Sequence, residues 1–512
     1  MNQITFETQI LTPLYTQLTA NAARPALYIQ DNTYTYFQLS QRIAAIRTYL
    51  QENHLGGQPI ALLADDHIDT YASIIALWSE GCAYIPLHPL QPPARNLSIL
   101  QQTQTKYLLC TTPQSPTAQQ AFNNEVNIIS TPLIETTGTE PAPPQPQPQN
   151  QLAYILFTSG STGTPKGVCL SRQNLAAFIN SFKQTGITIS PDDRCLQAFD
   201  HTFDVSIQTT LTTLMAGACL YTIPYGQIKY LYTASLIIQH RLTNLVMAPS
   251  MLTYLQPYFS QLQADCVKTT ILTAEASRLH TAQQWFQYAP NTEIYDFYGP
   301  TEATIYCTYY KLNRNSDNHT ANGLLSIGKP LANVRATIID ENGHPLPEGQ
   351  KGELCIAGPQ ITKGYWNNPE KNKTAFISIP GKQETYYRTG DLCQTLPDGN
   401  ILYYGRIDQQ AKIQGYRVEL GEIEYQAATH LNNQYRTVAI TYQTLPGLDQ
   451  IALFIESEPI ETAPLIKHLE NTLPHYMLPT TIQFIPQLPL NNSQKIDRIA
   501  LKQQLNQTKT TE

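Results

Sequence analysis

The chain has 512 residues, 42% of them hydrophobic, which is enough for more than one folding unit with a sizeable core. Only 14% of the residues are charged and the net charge is −7, so the sequence excludes the basic surface that nucleic acid or a membrane would need. No apolar run approaches the roughly 18 residues of a membrane span, and the N-terminus lacks a secretion signal. We therefore expect a cytoplasmic protein whose partners are small molecules or another protein.

The first 135 residues alternate between helical and strand-like segments. The predicted elements are helices at 40–49 and 72–80 and strands at 60–63, 83–86 and 107–110. Such alternation indicates an α/β fold with parallel sheets covered by helices. A stretch rich in Pro and Gln at 136–150 predicts an exposed connector. The nine cysteines are scattered, with none at metal-ligand spacing, and we interpret them as reduced thiols.

The sequence YILFTSGSTGTPKG at 154–167 begins as a strand and continues as a loop. Glycines allow successive backbone N–H groups to point into one concavity, and Lys166 adds a mobile positive charge. The loop positions are Thr158, Ser159, Gly160, Ser161, Thr162, Gly163 and Thr164. The spacing differs from that of the Walker loop, and a flexible linker would not end in Pro-Lys-Gly-Val. The stretch predicts a phosphate-binding loop.

A carboxylate lies in an apolar segment further along the chain. After a predicted helix at 171–182, capped by Ser171, the segment FDHTFDVSIQTTLTTLMAGA at 199–218 contains Asp204. A buried carboxylate is costly unless a cation pairs with it. An Asp before a helical run often caps the helix or faces solvent instead. The residues alone leave both interpretations open.

A second strong motif, YDFYGPTEATI at 295–305, follows two apolar segments at 245–252 and 271–276 that look like strands. Gly299 and Pro300 force a turn. The strand before this turn therefore ends at the edge of a sheet, where α/β proteins bind ligands.

Several side chains around that turn suit a nucleotide. Tyr298 can stack on a base, Thr301 can reach a phosphate, and Glu302 is an oxygen ligand suited to Mg²⁺. Residues 320–406 then predict short strands and tight turns. Within them, Asp391 lies on a Thr-Gly-Asp turn and is suited to accept from two vicinal hydroxyl groups.

Together these motifs resemble those of the adenylate-forming enzymes, the superfamily of acyl-CoA synthetases, luciferases and nonribosomal peptide synthetase adenylation domains. The resemblance covers almost the whole chain, with six motifs in order, and is greatest to proline-activating carrier-protein ligases. It implies a ligase that uses ATP and Mg²⁺ to make an aminoacyl adenylate. It also implies a separate phosphopantetheinylated carrier protein as the second partner.

The resemblance implies roles for individual residues. The phosphate loop with Lys166 and Thr301 would act on the phosphates, and Glu302 would hold Mg²⁺. The adenosine-binding residues would be Asp296 (where the family motif has Asn), Tyr298, Asp391 and Arg406. Lys495 matches the catalytic Lys of the family, although Ser493 and Gln494 replace the usual Asn-Gly before it.

The resemblance also implies a substrate pocket in which Asp204 binds the α-ammonium group of an amino acid. The implied lining is Asp204, Val205, Gln208, Leu245, Leu272, Ala274, Phe297, Ile305, Tyr306 and Lys495. The start Asp-Val-Gln-Leu with a later Ala is similar to proline-activating domains, which makes L-proline the first candidate. One charge, one amide and large apolar walls favour a small neutral amino acid. An acyl-CoA or other carboxylic acid ligase would not need Asp204, and a non-catalytic nucleotide-binding scaffold would be expected to have lost Lys495 or Glu302.

Residues 405–424 resemble the hinge motif of the family, with Asp408 as the pivot. We expect a large core at 1–407, with helix-covered parallel sheets and a β-barrel-like part, and a small mobile α+β domain at 408–512. The predicted elements of the small domain are helices at 422–430 and 464–473 and strands at 438–442, 452–456 and 481–485. Because only seventeen residues follow Lys495, we expect an adenylation enzyme that stands alone.

Overall fold

The computed structural model describes residues 4–111, 122, 125–136, 138, 141–160, 164–315, 317–408, 410–490 and 496–508. In these residues helices alternate with mixed sheets, so the predicted α/β class is confirmed. No described helix is both long enough and apolar enough to span a membrane.

The strands of the N-terminal half are, in chain order, β1 (Pro25–Ile29), β2 (Asn32–Thr35), β3 (Ile60–Leu63), β4 (Tyr84–Leu87), β5 (Tyr107–Cys110), β6 (Asn127–Ser130), β7 (Leu152–Thr158), β8 (Lys166–Ser171), β9 (Arg194–Gln197), β10 (Cys219–Thr222), β11 (Asn244–Met247), β12 (Thr269–Thr273) and β13 (Glu293–Tyr298). The later strands are β14 (Thr308–Lys311), β15 (Thr320–Ala321), β16 (Leu324–Leu325), β17 (Lys329–Pro330), β18 (Arg335–Ile339), β19 (Lys351–Ala357), β20 (Phe376–Ser378), β21 (Thr385–Thr395), β22 (Ile401–Arg406), β23 (Gln410–Ile413), β24 (Tyr416–Glu419), β25 (Thr437–Leu445), β26 (Leu448–Glu456) and β27 (Thr481–Ile485).

The α-helices of the described residues are α1 (Thr12–Ala20), α2 (Tyr36–Glu52), α3 (Ile68–Ser79), α4 (Pro93–Thr103), α5 (Arg172–Lys183), α6 (Val205–Met215), α7 (Lys229–His240), α8 (Pro249–Leu255), α9 (Leu279–Tyr288), α10 (Pro369–Ala375), α11 (Leu420–His430), α12 (Ala463–Thr472) and α13 (Arg498–Thr508). Short 3₁₀ or π turns lie at Glu7–Leu11, Thr131–Leu133, Gln256–Gln261, Ala264–Cys266, Thr301–Ala303 and His475–Met477.

Two sheets form the framework of the site. The first has the order β6-β5-β3-β4-β7-β8 and is parallel except for its last pair, and the second has the order β17-β14-β13-β12-β11-β9-β10-β1-β2 with a parallel centre. Central strands such as β3 and β12 are buried along their whole length, as expected for parallel sheets covered on both faces. The phosphate loop follows β7 and the Tyr-Gly-Pro turn follows β13, so both motifs lie at strand ends.

The C-terminal half adds smaller units. Strands β18 to β22 form a five-stranded antiparallel sheet, β23 and β24 pair as a hairpin, and β25 to β27 form a three-stranded sheet with its own apolar cluster. Helix α11 packs on β25 and contacts α12. The division at 407/408 remains a prediction.

Most predicted elements are present with shifted ends. Strands β3, β5 and β27 have the predicted bounds, and Ser171 caps α5 through a reciprocal pair of hydrogen bonds with Asn174. The predicted strand at 245–252 is wrong in its second half, because Pro249 begins helix α8. Proline fits the first turn of a helix, where its missing N–H has no partner to lose.

Candidate active site

Asp204 directly precedes α6, and its side chain makes no N-cap hydrogen bond. The carboxylate is buried, and Oδ2 has no hydrogen-bond partner among the described residues. Burial raises the pKa of Asp204 to about 7. Hydrogen bonds from the backbone N–H groups of Ile305 and Val205 partly oppose this shift. A buried carboxylate with a raised pKa lacks a nearby cation. Of the two interpretations that the sequence left open, the geometry therefore favours pairing with a cation over capping a helix or facing solvent.

Aromatic rings close the space beside Asp204. The ring centroids of Phe297 and Tyr306 lie 4.8 Å apart, and Phe182 lies 5.6 Å from Phe297. The Tyr306 hydroxyl donates to Gln208 Oε1 at 3.4 Å. Val205 and Ile305 belong to the same apolar cluster as these rings. Five of the predicted pocket residues besides Asp204 are therefore brought together: Val205, Gln208, Phe297, Ile305 and Tyr306.

Leu245 and Leu272 are not part of this group, although Leu245 lines a small cavity together with Gln208. Both belong to a second apolar cluster, whereas Phe297 belongs to the first. On neighbouring strands Leu272 pairs with Asp296 and Thr273 pairs with Phe297, so Leu272 points away from the Phe297 face. On β12, the side chains that share the face of Phe297 are those of Ile271 and Thr273, the two neighbours of Leu272 in sequence.

Ala274 does not continue the strand. It has a positive φ of 71°, and its Cβ lies 3.8 Å from the position that a Cβ on Gly415 would take. Ala274 therefore lies against the β23–β24 hairpin.

Three of the predicted adenosine residues meet where the ends of β13 and β22 adjoin the middle of β21. The Tyr298 hydroxyl donates to Asp391 Oδ2, and Arg406 Nη1 donates to Asp391 Oδ1 at 3.1 Å. Asp296 is buried and accepts a hydrogen bond from the Ser277 hydroxyl. Burial raises the pKa of Asp296 to about 7.

Asp408 is linked directly to that group. Its carboxylate accepts from Arg406 Nε at 2.9 Å and from the backbone N–H of Gln410 at 3.1 Å. Burial alone would raise the pKa of Asp408, but Arg406 outweighs burial and holds it below the usual range. Arg406 thus bridges Asp391 and the predicted pivot.

The described part of the phosphate loop contacts the C-terminal hairpin. Ser159 Oγ donates to the carbonyl of Arg417 at 2.9 Å, and Lys166 Nζ lies 3.2 Å from Glu419 Oε1. Gly160 is required at its position, because a Cβ there would lie 2.0 Å from the carbonyl oxygen of Thr164. Thr158 is half-buried, and its hydroxyl oxygen has no partner among the described residues.

Glu302 is the carboxylate predicted to hold Mg²⁺, and both of its oxygens are engaged. Oε1 accepts from the Tyr365 hydroxyl at 2.7 Å, and Oε2 accepts from Arg417 at 2.8 Å. Burial alone would raise the pKa of Glu302, but Arg417 and Lys166 lower it to about 2. Mg²⁺ is commonly held by one or two carboxylates with substrate phosphates, so Glu302 is a suitable type of ligand, but here Arg417 covers its Oε2. Thr301 is half-buried one residue earlier.

The β23–β24 hairpin also carries Lys412, the nearest alternative to Lys495 as a cation of this site. Its ammonium group lies 5.4 Å from the centre of the Tyr298 ring. Burial lowers the pKa of Lys412, while the negative charge of Asp391 opposes that shift. The backbone N–H of Gly415 donates to Glu275 at 2.6 Å, which fixes the turn of the hairpin beside Ala274.

Four predicted site residues, Ser161, Thr162, Gly163 and Lys495, lie outside the described residues. Sequence reasoning also missed Arg95, Arg417, Glu419 and Glu422. Their side chains reach the site through contacts over 115 to 327 residues, such as the 2.7 Å pair of Arg95 with Glu422. The one local signal was the position of Arg417, Glu419 and Glu422 inside the hinge motif at 405–424, and Arg95 had no such signal.

The loop after β7, the buried Glu302 after β13 and the Asp391–Arg406 pair between β21 and β22 are arranged as expected for a nucleotide-binding enzyme of the adenylate-forming class. The chain matches the AMP-binding enzyme family over residues 14–366, and it belongs to that family. It is 32% identical over 519 residues to tyrocidine synthase 3 of Brevibacillus parabrevis, covering 98% of this chain and 8% of that protein. The chain thus spans a small part of this relative.

Solved structures agree with the fold. The adenylation domain AlmE of Vibrio cholerae, in complex with glycyl-adenosine-5′-phosphate, is 25% identical with a TM-score of 0.84 and 97% of each chain covered. PA1221, a protein with adenylation and PCP domains, is 21% identical with a TM-score of 0.81, covering 96% of this chain and 84% of that one.

Proposed function

We propose that this chain activates a small neutral amino acid, L-proline being our first candidate, as an aminoacyl adenylate and transfers it to the thiol of a separate carrier protein. The observation that carries the proposal is the buried carboxylate of Asp204, whose Oδ2 has no partner in the described part of the chain. An α-ammonium group supplies the missing cation, and a fatty or aryl acid does not.

The size of the pocket supports a small substrate. Phe297, Tyr306 and Phe182 are in mutual contact and fully buried, so little room remains beyond Gln208. The glycyl adenylate in the AlmE structure supports the same class of amino acid. An apolar pocket discriminates one methylene by only ~1–3 kcal/mol, so we expect some activity with close analogues of the substrate.

In the first half-reaction a carboxylate oxygen of the substrate attacks the α-phosphorus of ATP, and pyrophosphate leaves. Ser159, Gly160 and Lys166 would stabilise the departing phosphates through N–H, O–H and ammonium groups. Lys495 would bridge the substrate carboxylate and the nucleotide. Bound Mg²⁺, held by Glu302, would neutralise phosphate charge. No residue needs to act as a base, because the attacking carboxylate is already ionised.

In the second half-reaction the carrier thiol attacks the adenylate carbonyl, which gives a thioester and AMP. A cavity of about 760 Å³ lined by Phe199, Phe203, Lys229, Gly415 and Tyr416 supports entry of a long, thin thiol arm between the hairpin and the core. We further propose that residues 408–512 turn at Asp408 between the two half-reactions, so that Lys495 and the hairpin alternate at the site.

The experiment is amino-acid-dependent exchange of labelled pyrophosphate into ATP, run over all common amino acids, pipecolate, and a set of fatty and aryl acids. We expect exchange with one or a few small neutral amino acids. Exchange only with acids that lack an amino group would make the chain a carboxylic acid ligase, and no exchange with any acid would favour a nucleotide-binding scaffold.

A further inference from the structure

A strained turn joins the Glu302 motif to the aromatic pocket. Thr304 and Ile305 are consecutive residues with positive φ values of 57° and 74°, although both are β-branched. The backbone N–H of Tyr306 donates to the carbonyl of Thr304 at 3.0 Å, so Ile305 is the centre of a γ-turn of the rare, positive-φ type. Such a conformation persists only where the surrounding structure holds it in place.

Gln360, in the segment that follows β19, holds this turn. Its side-chain Nε2 donates to the carbonyl of Ala303 at 2.8 Å and also to the carbonyl of Tyr306, one on either side of the strained pair. The Thr304 hydroxyl donates in return to the backbone carbonyl of Gln360. Three hydrogen bonds that involve Gln360 therefore enclose the two strained residues.

The Gln360 side chain is itself buried, and its backbone is held on both sides. Gln360 is 1% exposed, and its Oε1 has no partner in the described part of the chain. Asn174 Nδ2 donates to the carbonyls of Pro359 and Ile361, at 2.8 Å and 3.0 Å. An unpaired buried amide oxygen costs stability that an apolar side chain of the same size would not. The two bonds from Nε2 are thus what this glutamine contributes.

The turn fixes groups that border the amino acid pocket. The backbone N–H of Ile305 is directed at the Asp204 carboxylate, and the Tyr306 hydroxyl donates to Gln208 Oε1 at 3.4 Å. The Ile305 carbonyl packs closely on Gly299, where a Cβ would lie 2.4 Å from its oxygen. A change in the turn would therefore displace a wall of the pocket as well as its own backbone.

We propose that Gln360 is a positioning residue for the amino acid, because it holds the Thr304–Ile305 turn and so fixes Ile305 and Tyr306 beside the substrate. The proposal deepens the proposed function and rests on it for the identity of the substrate. Glu302 is held separately, since the backbone N–H of Thr362 donates to its carbonyl at 2.8 Å. Loss of the Gln360 amide should therefore affect the amino acid and spare the nucleotide.

The test substitutes Gln360→Met, which keeps the size of the side chain and removes its donor. In pyrophosphate exchange we expect the KM for the best amino acid to rise about tenfold, because small misplacements at a site are costly. The KM for ATP should change by less than about twofold, since Glu302 keeps its own support. Preference for the best amino acid over an analogue with one more methylene should fall about threefold, since the pocket wall is less well fixed.

Gln149→Met is the matched control. Gln149 lies in the connector before β7, where its amide also bonds backbone groups: Oε1 accepts from the N–H of Phe6 at 2.7 Å, and Nε2 donates to the carbonyl of Gln147 at 3.0 Å. It should lose comparable hydrogen bonds and change the amino acid KM by less than about twofold, because the site is remote from the pocket.

Thr304→Val is a milder variant of the same contact. It keeps the shape and branching of the side chain and removes only the hydroxyl that bonds Gln360, so the amino acid KM should rise about threefold. If Gln360→Met fails to fold, this variant decides the question. Hydrogen exchange of the ligand-free chain needs no substrate, and we expect the amides of residues 299–307 to exchange about tenfold faster in Gln360→Met than in the wild type.

A fall in kcat with an unchanged amino acid KM, an equal rise in the KM for ATP, an equal effect of Gln149→Met, or unchanged hydrogen exchange at 299–307 would overturn the proposal. Wild-type exchange of pyrophosphate with no amino acid would instead refute the proposed function. The hydrogen-exchange comparison would then still decide whether Gln360 holds the turn.

Discussion

Two buried acidic sites lie side by side in this protein and differ in how their charges are met. Glu302 is paired with Arg417 and has a pKa near 2, whereas burial raises the pKa of Asp204 to about 7 and its Oδ2 has no partner in the described residues. The first site is neutralised by the chain itself, and the second is short of a cation. Under the proposed function, the first site would exchange Arg417 for a metal ion and the second would bind the ammonium group of the substrate.

Among the substitutions considered, we expect removal of the Asp204 carboxylate to reduce activity most. We expect Asp204→Ala to lower amino-acid-dependent pyrophosphate exchange by about 10³-fold, because a buried ammonium left without its partner costs ~3–5 kcal/mol. ATP binding, measured by equilibrium dialysis, should be nearly unchanged. Unaltered exchange in this variant would remove the basis for an amino acid substrate.

Substitution of Lys495 tests the chemistry of the proposed adenylation step. Lys495→Ala should slow adenylation by about 10²–10³-fold, the effect of removing one preorganised electrostatic donor. Loading of a phosphopantetheinylated carrier from synthetic aminoacyl adenylate should continue near the wild-type rate. Near-normal exchange would mean that another cation does this work, and Lys412, whose charge is buried beside Asp391, is the first candidate.

Substitution of Asp408, the predicted pivot, tests whether Glu302 exchanges Arg417 for another partner. Pro fixes φ near −65°, and a misfit in one arrangement would disfavour that arrangement by about 3 kcal/mol, or ~10²-fold. We expect Asp408→Pro to keep adenylation and to lose carrier loading to that extent. Asp408→Ala, which removes the same contacts with Arg406 and Gln410 without fixing φ, is the control. Equal loss of both half-reactions with Pro would count against rotation.

The pH dependence of amino acid binding tests the second site, at Asp204. Since the ammonium needs ionised Asp204, apparent affinity should fall by up to about tenfold per pH unit below pH 7 and level off above it. The raised pKa means that the ligand-free fold binds this proton more tightly than the unfolded chain. Its stability should therefore fall as pH rises from about 4 to 7, and the substrate should restore it. Calorimetry without nucleotide measures the affinity; a flat profile would contradict the assignment.

The sequence was most informative where local pattern decides structure. Helix α5 and its Ser171 cap, strands β3 and β5 and the Gly-Pro turn follow from periodicity and turn chemistry. Leu272 shows the limit, because an assignment shifted by one residue in a strand moves every side chain to the opposite face. Thr273 and Ile271 face Phe297 instead.

Contacts between distant parts of the chain could not be predicted. Arg95 and Glu422 are 327 residues apart, and nothing in either local sequence indicates that they pair. The same holds for Arg417 on Glu302, because the resemblance assigns Glu302 a metal and the fold shows it with a guanidinium. Such contacts depend on how the C-terminal part docks, which is a tertiary property.

The most direct test of the account compares L-proline, glycine and other small amino acids with analogues of the same shape that lack the amino group, such as cyclopentanecarboxylate for proline. Pyrophosphate exchange is measured for each pair with the wild-type chain. The account predicts exchange with at least one small amino acid and none above background with its analogue. Equal or faster exchange with the analogue would show that Asp204 does not bind an ammonium group.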